Sequence, residues 1–221
     1  MLSFAPAIDT LQKFLTSVPK EWLVLILGAW AAGISLYLSV GLLGLCGYFG
    51  WISLPGELGV FSNPIIFSLA FIIFFIEFIA DKVPWVDSIW DSVHTVIRPL
   101  GGFGIGYLAG AEHGLVIQTA YAMLAGTVTL NMHMAKAAGR LAINASPEPF
   151  SNVAASTVEQ GIVIGMFWFF IQHPVIAVLI IIGILFLAVI LIRFLWRFVK
   201  KLFGAGETKD ECERTLNCKC Q

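Results

Sequence analysis

Long apolar runs separated by short polar stretches dominate the chain. A transmembrane helix needs about 20 apolar residues to cross about 30 Å of hydrocarbon. Runs that approach this length occupy residues 22–46, 64–81, 99–112, 114–138, 151–171 and 174–199. With 58% hydrophobic and only 12% charged residues, the chain is predicted to be an all-α integral membrane protein with about six transmembrane helices.

The shortest run, 99–112, directly follows a segment of a different kind. Residues 85–98 alternate apolar and polar positions with helical periodicity, which predicts an amphipathic helix. We expect the two segments to form one long helix that is broken at Pro99, because a proline removes a backbone hydrogen bond from a helix.

The two ends of the chain differ from this apolar middle. Apolar residues recur at helical spacing over residues 1–18, which predicts an amphipathic helix in the membrane interface. Residues 201–221 are polar and glycine-containing, and we expect them to be disordered. The chain is therefore divided into an N-terminal amphipathic segment at 1–20, a helical membrane domain at 21–200 and a cytoplasmic tail at 201–221.

Lysine and arginine positions predict the orientation, since cytoplasmic loops carry an excess of these residues. With six crossings and a cytoplasmic N-terminus, the predicted outer loops contain neither residue. Both termini are therefore predicted to lie in the cytoplasm. The net charge of −1 and the lack of a basic run argue against a nucleic-acid partner. The apolar runs predict the lipid bilayer as the partner.

A shift of 63 residues aligns part of the chain with itself. It places Glu77, Asp81, Pro84, Ser88 and Gly102 over Arg140, Asn144, Pro147, Ser151 and Gly165. Both windows are predicted to contain the end of a crossing, a proline turn and a new helix. The two crossings run in the same direction in the six-helix topology, which predicts two parallel helical-hairpin repeats, one acidic and one basic where they turn.

Acidic side chains mark the turn of the first hairpin. Glu77 and Asp81 are four residues apart and share a helix face, where like charges repel. A proton, a bound cation or a basic neighbour must relieve this repulsion. Lys82 follows directly, and the next helix has a polar stripe of Asp87, Asp91, His94 and Arg98. This stripe either faces the cytoplasm at the membrane surface or lines a site.

A basic stripe follows on the 114–138 crossing and its extension. It contains Thr129, His133, Lys136, Arg140 and Asn144 at steps of three and four residues. In the fifth crossing, Glu159 lies about 10 Å beyond Asn152 along the helix. A buried carboxylate is costly unless it is paired or protonated, so we expect Glu159 to pair with Lys136, Arg140 or His133 and to exchange a proton. Because this stripe is basic and Glu77 and Asp81 are acidic, we also expect salt bridges between the two groups, with Glu77 facing Arg140. The alternative is that all these charges are structural ion pairs.

Other chemistry has little support. No two histidines have the i, i+4 spacing of a helical zinc site. No nucleophile and base stand out together, so neither enzymatic activity nor a cofactor is predicted, and the sequence does not indicate a metal. Glycines recur every four residues at Gly102, Gly106 and Gly110 and at Gly161 and Gly165. They predict close packing of the third and fifth crossings and are compatible with a homodimer.

Three stretches also carry a resemblance. They are "EFIADKVPWVDSIWDSVHTVIRPLGG", "HMAKAAGRLAINASPEPFSN" and "STVEQ". Over about residues 22–200 the chain resembles bacterial membrane proteins grouped as domain-of-unknown-function family 4126. The resemblance implies a bacterial inner membrane and no established activity. It also implies a basic residue where this chain has Ser35 and a second acid where it has Gln160.

Two function classes remain open. The first is a transporter or channel for an ion or small polar solute, in which Glu77, Asp81 and Glu159 bind a cation or proton. The second is a non-transporting scaffold or lipid-binding protein, in which the charges tie helices together and the basic inner rim binds anionic headgroups. In either case, the predicted site residues are Glu77, Asp81, Lys82, Asp87, Asp91, His94, Arg98, His133, Lys136, Arg140, Asn144 and Glu159.

Overall fold

The computed structural model describes residues 18–144 and 149–217, and the side chains at 84, 142, 144, 149 and 198–217 are outside this description. All regular structure in these ranges is helical, which confirms the all-α prediction. The α-helices are α1 Lys20–Ile34, α2 Leu36–Tyr48, α3 Pro64–Ala80, α4 Pro84–Ala109, α5 Gly114–Asn144, α6 Pro149–Gln172 and α7 Pro174–Asn217. Short 3-10 helices, Gly56–Ser62 and Ala111–His113, precede α3 and α5. The helix predicted at residues 1–18 lies outside the described residues, apart from Val18.

Helices α1 and α2 form a tight antiparallel hairpin. Ser35 has an extended backbone (φ −149°, ψ 108°) that ends α1 and begins α2. The Ser39 hydroxyl donates to the Gly28 carbonyl at 2.9 Å, and a Cβ atom on Gly28 would lie 3.0 Å from Leu43 Cδ1. In one straight helix these pairs would be separated by about 16 and 22 Å. The prediction of a single crossing at 22–46 is therefore wrong.

The hairpin occupies the centre of the molecule. Every residue of α1 from Leu27 to Ile34 is buried. Glycines let neighbouring backbones approach it closely: a Cβ atom on Gly33 would lie 2.6 Å from the Thr129 carbonyl oxygen in α5. A helix that is apolar and buried on all sides belongs to an interior. An interrupted helix is tolerated at membrane depth when protein surrounds it in this way.

Helices α3 to α6 run alternately between two ends of the molecule, and α7 starts back from one of them. We call them the Glu21 end, which contains Lys20, Tyr48, His113 and Pro174, and the Asp81 end, which contains Asp81, Trp85 and Phe150. At the Glu21 end, Glu21 Oε2 lies 3.5 Å from His113 Nε2, and one cavity is lined by Lys20, Phe170 and Pro174. At the Asp81 end, Arg140 joins α5 to the carbonyl oxygens of Asp81 and Asn152.

This arrangement changes the predicted topology. The apolar part of α7, Pro174–Arg197, starts at the Glu21 end and is about 35 Å long. Lys20 and Arg197 therefore lie towards opposite ends of the molecule. The reason is that α1 and α2 together return the chain to the end where they began. That both termini lie in the cytoplasm stays a prediction, because residues 1–17 and 218–221 lie outside the described residues.

Three segments are long and apolar enough to cross a membrane: Ala111–Leu141, Phe150–Gln172 and Pro174–Arg197. The pair Gly56–Ser62 and Pro64–Ala80, bent by 73°, makes a fourth if it counts as one span. These helices support a membrane protein, but not six crossings. The 63-residue repeat stays a prediction, although α3 and α5 do run in the same direction.

Two helices extend further than expected. α4 runs through Pro99 without interruption, so the predicted break there is wrong. Its packing along α5 supplies enough contact to hold the helix together despite the missing backbone hydrogen bond. α7 continues to Asn217, and the disorder predicted for residues 201–221 stays a prediction. No proline follows Pro174 to end this helix, and 218–221 lie outside the described residues.

The glycines of α4 form its seam with α5. A Cβ atom on Gly102 would overlap the Thr129 side chain, and one on Gly106 would overlap the Tyr121 carbonyl oxygen. In contrast, nothing lies within 4 Å of a Cβ atom built on Gly161 or Gly165 of α6. A close seam was predicted between the third crossing, which is α4, and the fifth, which is α6. The structure instead has this seam between α4 and α5, because the α6 glycines do not face a neighbouring backbone.

Candidate functional site

The charged residues converge around the tip of the α1–α2 hairpin, towards the Asp81 end. We call this group the charge cluster. It consists of Glu77 and Asp81 from α3 and its end, Asp87, Asp91 and Arg98 from α4, Lys136 and Arg140 from α5, and Glu159 from α6. Seven of these eight residues are buried, and the Glu159 side chain is 23% exposed. The alternative in which the α4 stripe faces the cytoplasm is therefore wrong, since Asp87 and Arg98 are fully buried.

Arg98 organises one half of the cluster. Its Nη2 atom donates to Glu77 Oε1 at 2.7 Å, and its Nη1 atom donates to Asp91 Oδ1 at 3.3 Å. The other Glu77 oxygen accepts from the Ser35 hydroxyl at 2.5 Å. Glu77 was expected to face Arg140, but Arg98 is its partner. Charge-assisted bonds of this kind are needed to hold ionised groups in a buried site.

His133 is held in one tautomer by its neighbours. Arg98 Nη1 lies 2.8 Å from His133 Nδ1, and a guanidinium can only donate. Nδ1 therefore accepts, the ring is neutral, and Nε2–H donates to the Thr95 hydroxyl at 3.0 Å. Thr95 in turn donates to the Asp91 carbonyl at 2.9 Å. His133 thus links Arg98 to Thr95 in a chain of hydrogen bonds. It was named among the expected partners of Glu159, but Arg140 binds Glu159 instead.

Lys136 and Arg140 organise the other half. Lys136 Nζ lies 3.2 Å from Asp81 Oδ2 and 3.6 Å from Glu159 Oε2. Arg140 binds both Glu159 oxygens, through Nη2 at 2.8 Å and Nε at 3.2 Å. Its Nη1 atom donates to Asn152 Oδ1 at 2.7 Å. The predicted pairing of Asp81 and Glu159 with these basic residues is therefore present in the structure.

The two helix ends at the hairpin tip match the charges that they meet. The carbonyl end of a helix carries partial negative charge and the N–H end carries partial positive charge. Lys136 Nζ donates to the Ile34 carbonyl at the end of α1, at 3.1 Å. Glu77 accepts from Ser35, which immediately precedes α2. The tip is thus fastened to α5 by a cation and to α3 by a carboxylate.

The cluster contains more negative than positive groups. It has five carboxylates and three cationic side chains, so two negative charges are in excess when all are ionised. Burial raises the pKa of Asp81 to about 6, although Lys136 and Arg140 act in the opposite direction. Asp81 Oδ1 is buried and has no hydrogen-bond partner among the described residues. Asp81 is therefore the carboxyl best suited to accept a proton.

A cavity reaches the cluster between α4 and α5. Its volume is about 300 Å³, and Asp87, Asp91, Thr95, Met134 and Arg140 are among the residues that line it. We call it the α4–α5 cavity. Among the described residues, no group of His, Cys, Asp and Glu is arranged to hold a metal ion. The cavity is thus lined in part by charged side chains of the cluster, and these side chains form ion pairs with other members of the cluster.

The remaining predicted residues lie at the edge. The Lys82 Nζ atom lies 3.6 Å from the centre of the Phe78 ring and takes no part in the cluster. His94 is buried, stacks on Trp90 and contacts the Trp90 carbonyl through Nδ1 at 2.8 Å. The Asn144 side chain lies outside the described residues. Ser35 and Asn152 were not predicted as site residues, because a serine in an apolar run and an asparagine near a helix start are common.

Comparison with known proteins gives one match. The family described as "Domain of unknown function (DUF4126)" matches residues 23–194. Searches of curated proteins and of solved structures find no match.

Proposed function

We propose that this chain, which belongs to the DUF4126 family, is a small multi-pass transporter or channel whose charge cluster passes a proton or small cation across a membrane. One observation carries the proposal: the tip of a buried, interrupted helix lies in a cluster of paired charges that a cavity reaches. Transporters commonly bind their ions where discontinuous helices end near mid-membrane, because the exposed helix ends supply partial charges.

The sign of the cluster favours a cation. Its five carboxylates exceed its three cationic groups, and an excess of buried negative charge is relieved by a proton or a cation. An anion would add to the excess. Lys136 and Arg140 then act as internal compensating charges and not as the ligands of a substrate.

Positive charges suggest the orientation. Arg193 and Arg197 are exposed, lie towards the Asp81 end and are followed in the sequence by Lys200 and Lys201. Lys20 is the one lysine or arginine at the Glu21 end among the described residues. Because cytoplasmic loops carry the excess of these residues, we assign the Asp81 end to the cytoplasm of a bacterial inner membrane. Residue 20 then lies on the outer side.

Reconstituted flux tests this function. The purified full-length protein is placed in liposomes, and uptake driven by proton, sodium or potassium gradients is measured for the wild type, Asp81→Asn and Glu159→Gln. Asp81→Asn is expected to lose flux, because its carboxyl can no longer gain or lose a charge. Arg193→Gln, an exposed position, is the matched control and should retain flux. Flux in none of the gradients would contradict the proposal.

A structural role for the charges is the second candidate. It is favoured by the pairing of the cluster, since Glu77, Glu159 and Arg140 all have close partners. In that case the chain is a scaffold or lipid-binding protein. Removal of single charges would then lower stability, and no gradient would drive transport through the wild type.

A further inference from the structure

One buried face of α6 continues beyond the charge cluster. Asn152, Ser156 and Gln160 recur at steps of four residues, which places them on neighbouring turns of one face. Asn152 belongs to the cluster, because its Nδ2 atom donates to the Asp81 carbonyl at 3.0 Å. Ser156 lies in height between Asn152 and Glu159, and both of these bind Arg140. Ser156 is therefore on the same buried face as Asn152, one helical turn further along α6.

Ser156 and Gln160 lack protein partners. Ser156 is 0% exposed and Gln160 is 3% exposed. Neither the Ser156 hydroxyl nor either polar atom of the Gln160 amide has a hydrogen-bond partner among the described residues. A buried polar group left without a partner destabilises a folded protein. A ligand that satisfies these atoms is therefore strongly favoured.

The chemistry of the three atoms identifies the ligand. The Gln160 amide offers a donor and an acceptor, and the Ser156 hydroxyl can act as either. A metal ion would satisfy only the oxygens and would be repelled by the amide N–H groups. Water both donates and accepts. Residues at i and i+4 have Cβ atoms about 5–6 Å apart, so a water molecule can bridge the two side chains.

We propose that Ser156 and Gln160 hold a chain of water molecules that delivers protons to Asp81, and that the proton is the transported species. This inference rests on the proposed transport function and names its substrate. Asp81 Oδ1 is the acceptor, since it is buried and has no partner among the described residues. The charged groups that act on it are Lys136 and Arg140 from α5, Glu77 from α3 and Arg98 from α4. Arg140 is shared with two further carboxylates, Asp87 from α4 and Glu159 from α6.

The transfer step is a simple protonation. A hydrated proton gives H⁺ to Asp81 Oδ1, an O–H bond forms, and the carboxylate becomes neutral while the donor becomes water. The contact between Asp81 Oδ2 and Lys136 then loses its charge attraction, and Lys136 remains protonated. Release is the reverse step, in which water in the α4–α5 cavity accepts the proton. Asp87 and Asp91 line that cavity and favour a cation there.

The outer half of the route is closed in this structure. Beyond Gln160, the buried face of α6 continues with Val163, Phe167 and Phe170, which are 0%, 2% and 4% exposed. Phe170 lines the cavity of about 180 Å³ at the Glu21 end. An apolar section of this kind excludes water, so a proton reaches Gln160 from that side only after α6 separates from the hairpin.

Proton flux in liposomes tests the inference. A pH gradient is imposed on vesicles that contain the full-length protein, and trapped pyranine reports internal pH, with sodium and rubidium uptake measured in parallel. Gln160→Leu and Ser156→Ala should each lower proton flux about tenfold, because the water chain loses a hydrogen-bonding station. Gly165→Ala, on an open face of α6, is the control. The thermal stability of Gln160→Leu should stay close to that of the wild type, because the substitution removes an amide that has no protein partner among the described residues.

The outcomes separate the two proposals. Proton flux that falls in Gln160→Leu and not in Gly165→Ala supports the inference. Unchanged proton flux in Gln160→Leu overturns the water chain. Sodium or rubidium uptake without proton flux overturns the assignment of the proton and leaves the transport function in place. Flux of none of the three ions overturns both.

Discussion

The Ser39 hydroxyl donates a hydrogen bond to the Gly28 carbonyl at 2.9 Å, across 11 positions of the sequence. This contact determines the topology, because it requires α1 and α2 to lie side by side. The first apolar run of the chain therefore begins and finishes at the same end of the molecule.

Cysteine labelling from the two sides of the membrane checks this topology. In a background in which the native cysteines are replaced by serine, Lys20→Cys and Arg197→Cys should react with an impermeant maleimide from opposite sides of sealed vesicles. Both positions are exposed. Glu112→Cys, which lies at the Glu21 end, is the matched control and should label from the same side as Lys20→Cys. Labelling of Lys20→Cys and Arg197→Cys from the same side would contradict the α1–α2 hairpin and would support a single crossing at 22–46.

Replacement of Arg98 should strongly destabilise the fold. Arg98→Met leaves Glu77 and Asp91 without their shared cation, and removal of one partner from a buried ion pair costs about 3–5 kcal/mol. The measurement is thermal unfolding in detergent. The double variant Arg98→Met with Glu77→Gln should recover part of the loss, since it removes one of the two uncompensated carboxylates. Equal stability of the single variant and the wild type would show that the pair is not buried in the folded protein.

Stability should depend on pH through Asp81. Its pKa is raised by burial to about 6 from an ordinary value of 3.8, so the folded state binds the proton more tightly than the unfolded state. This contribution to stability is fully present below about pH 4 and is lost as the pH rises through about 6. The melting temperature of the wild type minus that of Asp81→Asn should therefore increase as the pH falls from about 7 to 5. A difference that decreases over this range would mean that the ion pair with Lys136 outweighs burial.

The seam between α4 and α5 should not tolerate added volume. A Cβ atom on Gly106 would overlap the Tyr121 carbonyl oxygen, so Gly106→Ala is expected to destabilise by about 1–3 kcal/mol. Gly165→Ala introduces the same atom where nothing lies within 4 Å, and it should be neutral or stabilising by up to about 1 kcal/mol because alanine favours helix. Equal effects of the two substitutions on thermal unfolding would exclude a close seam.

The sequence predicted the features that depend on local spacing. Helical periodicity placed Lys136 and Arg140 on one stripe, and simple charge matching identified them as partners of Asp81 and Glu159. The same reasoning could not choose between Arg140 and Arg98 as the partner of Glu77, because the choice depends on how far α4 is rotated against α3.

The hairpin could not be predicted for a similar reason. The segment from 22 to 46 is predominantly apolar, has no charged residue and contains no proline, so a continuous helix was the local structure expected for it. The break at Ser35 is stabilised by Lys136 and Glu77, which are 102 and 42 positions away from the residues that they bind at the tip. Likewise, Gly161 and Gly165 have the spacing of a packing seam, but only the folded molecule shows that no neighbour faces them.

The burial of α1 has a consequence for biosynthesis. This helix is translated before the other described helices, yet its neighbours in the finished molecule include α4 and α5, which emerge from the ribosome later. Until then Ser35 has neither Glu77 nor Lys136 to bind. The hairpin must therefore settle into its place after the later helices have been inserted, so the earliest described helix to be translated is among the last to reach its final position.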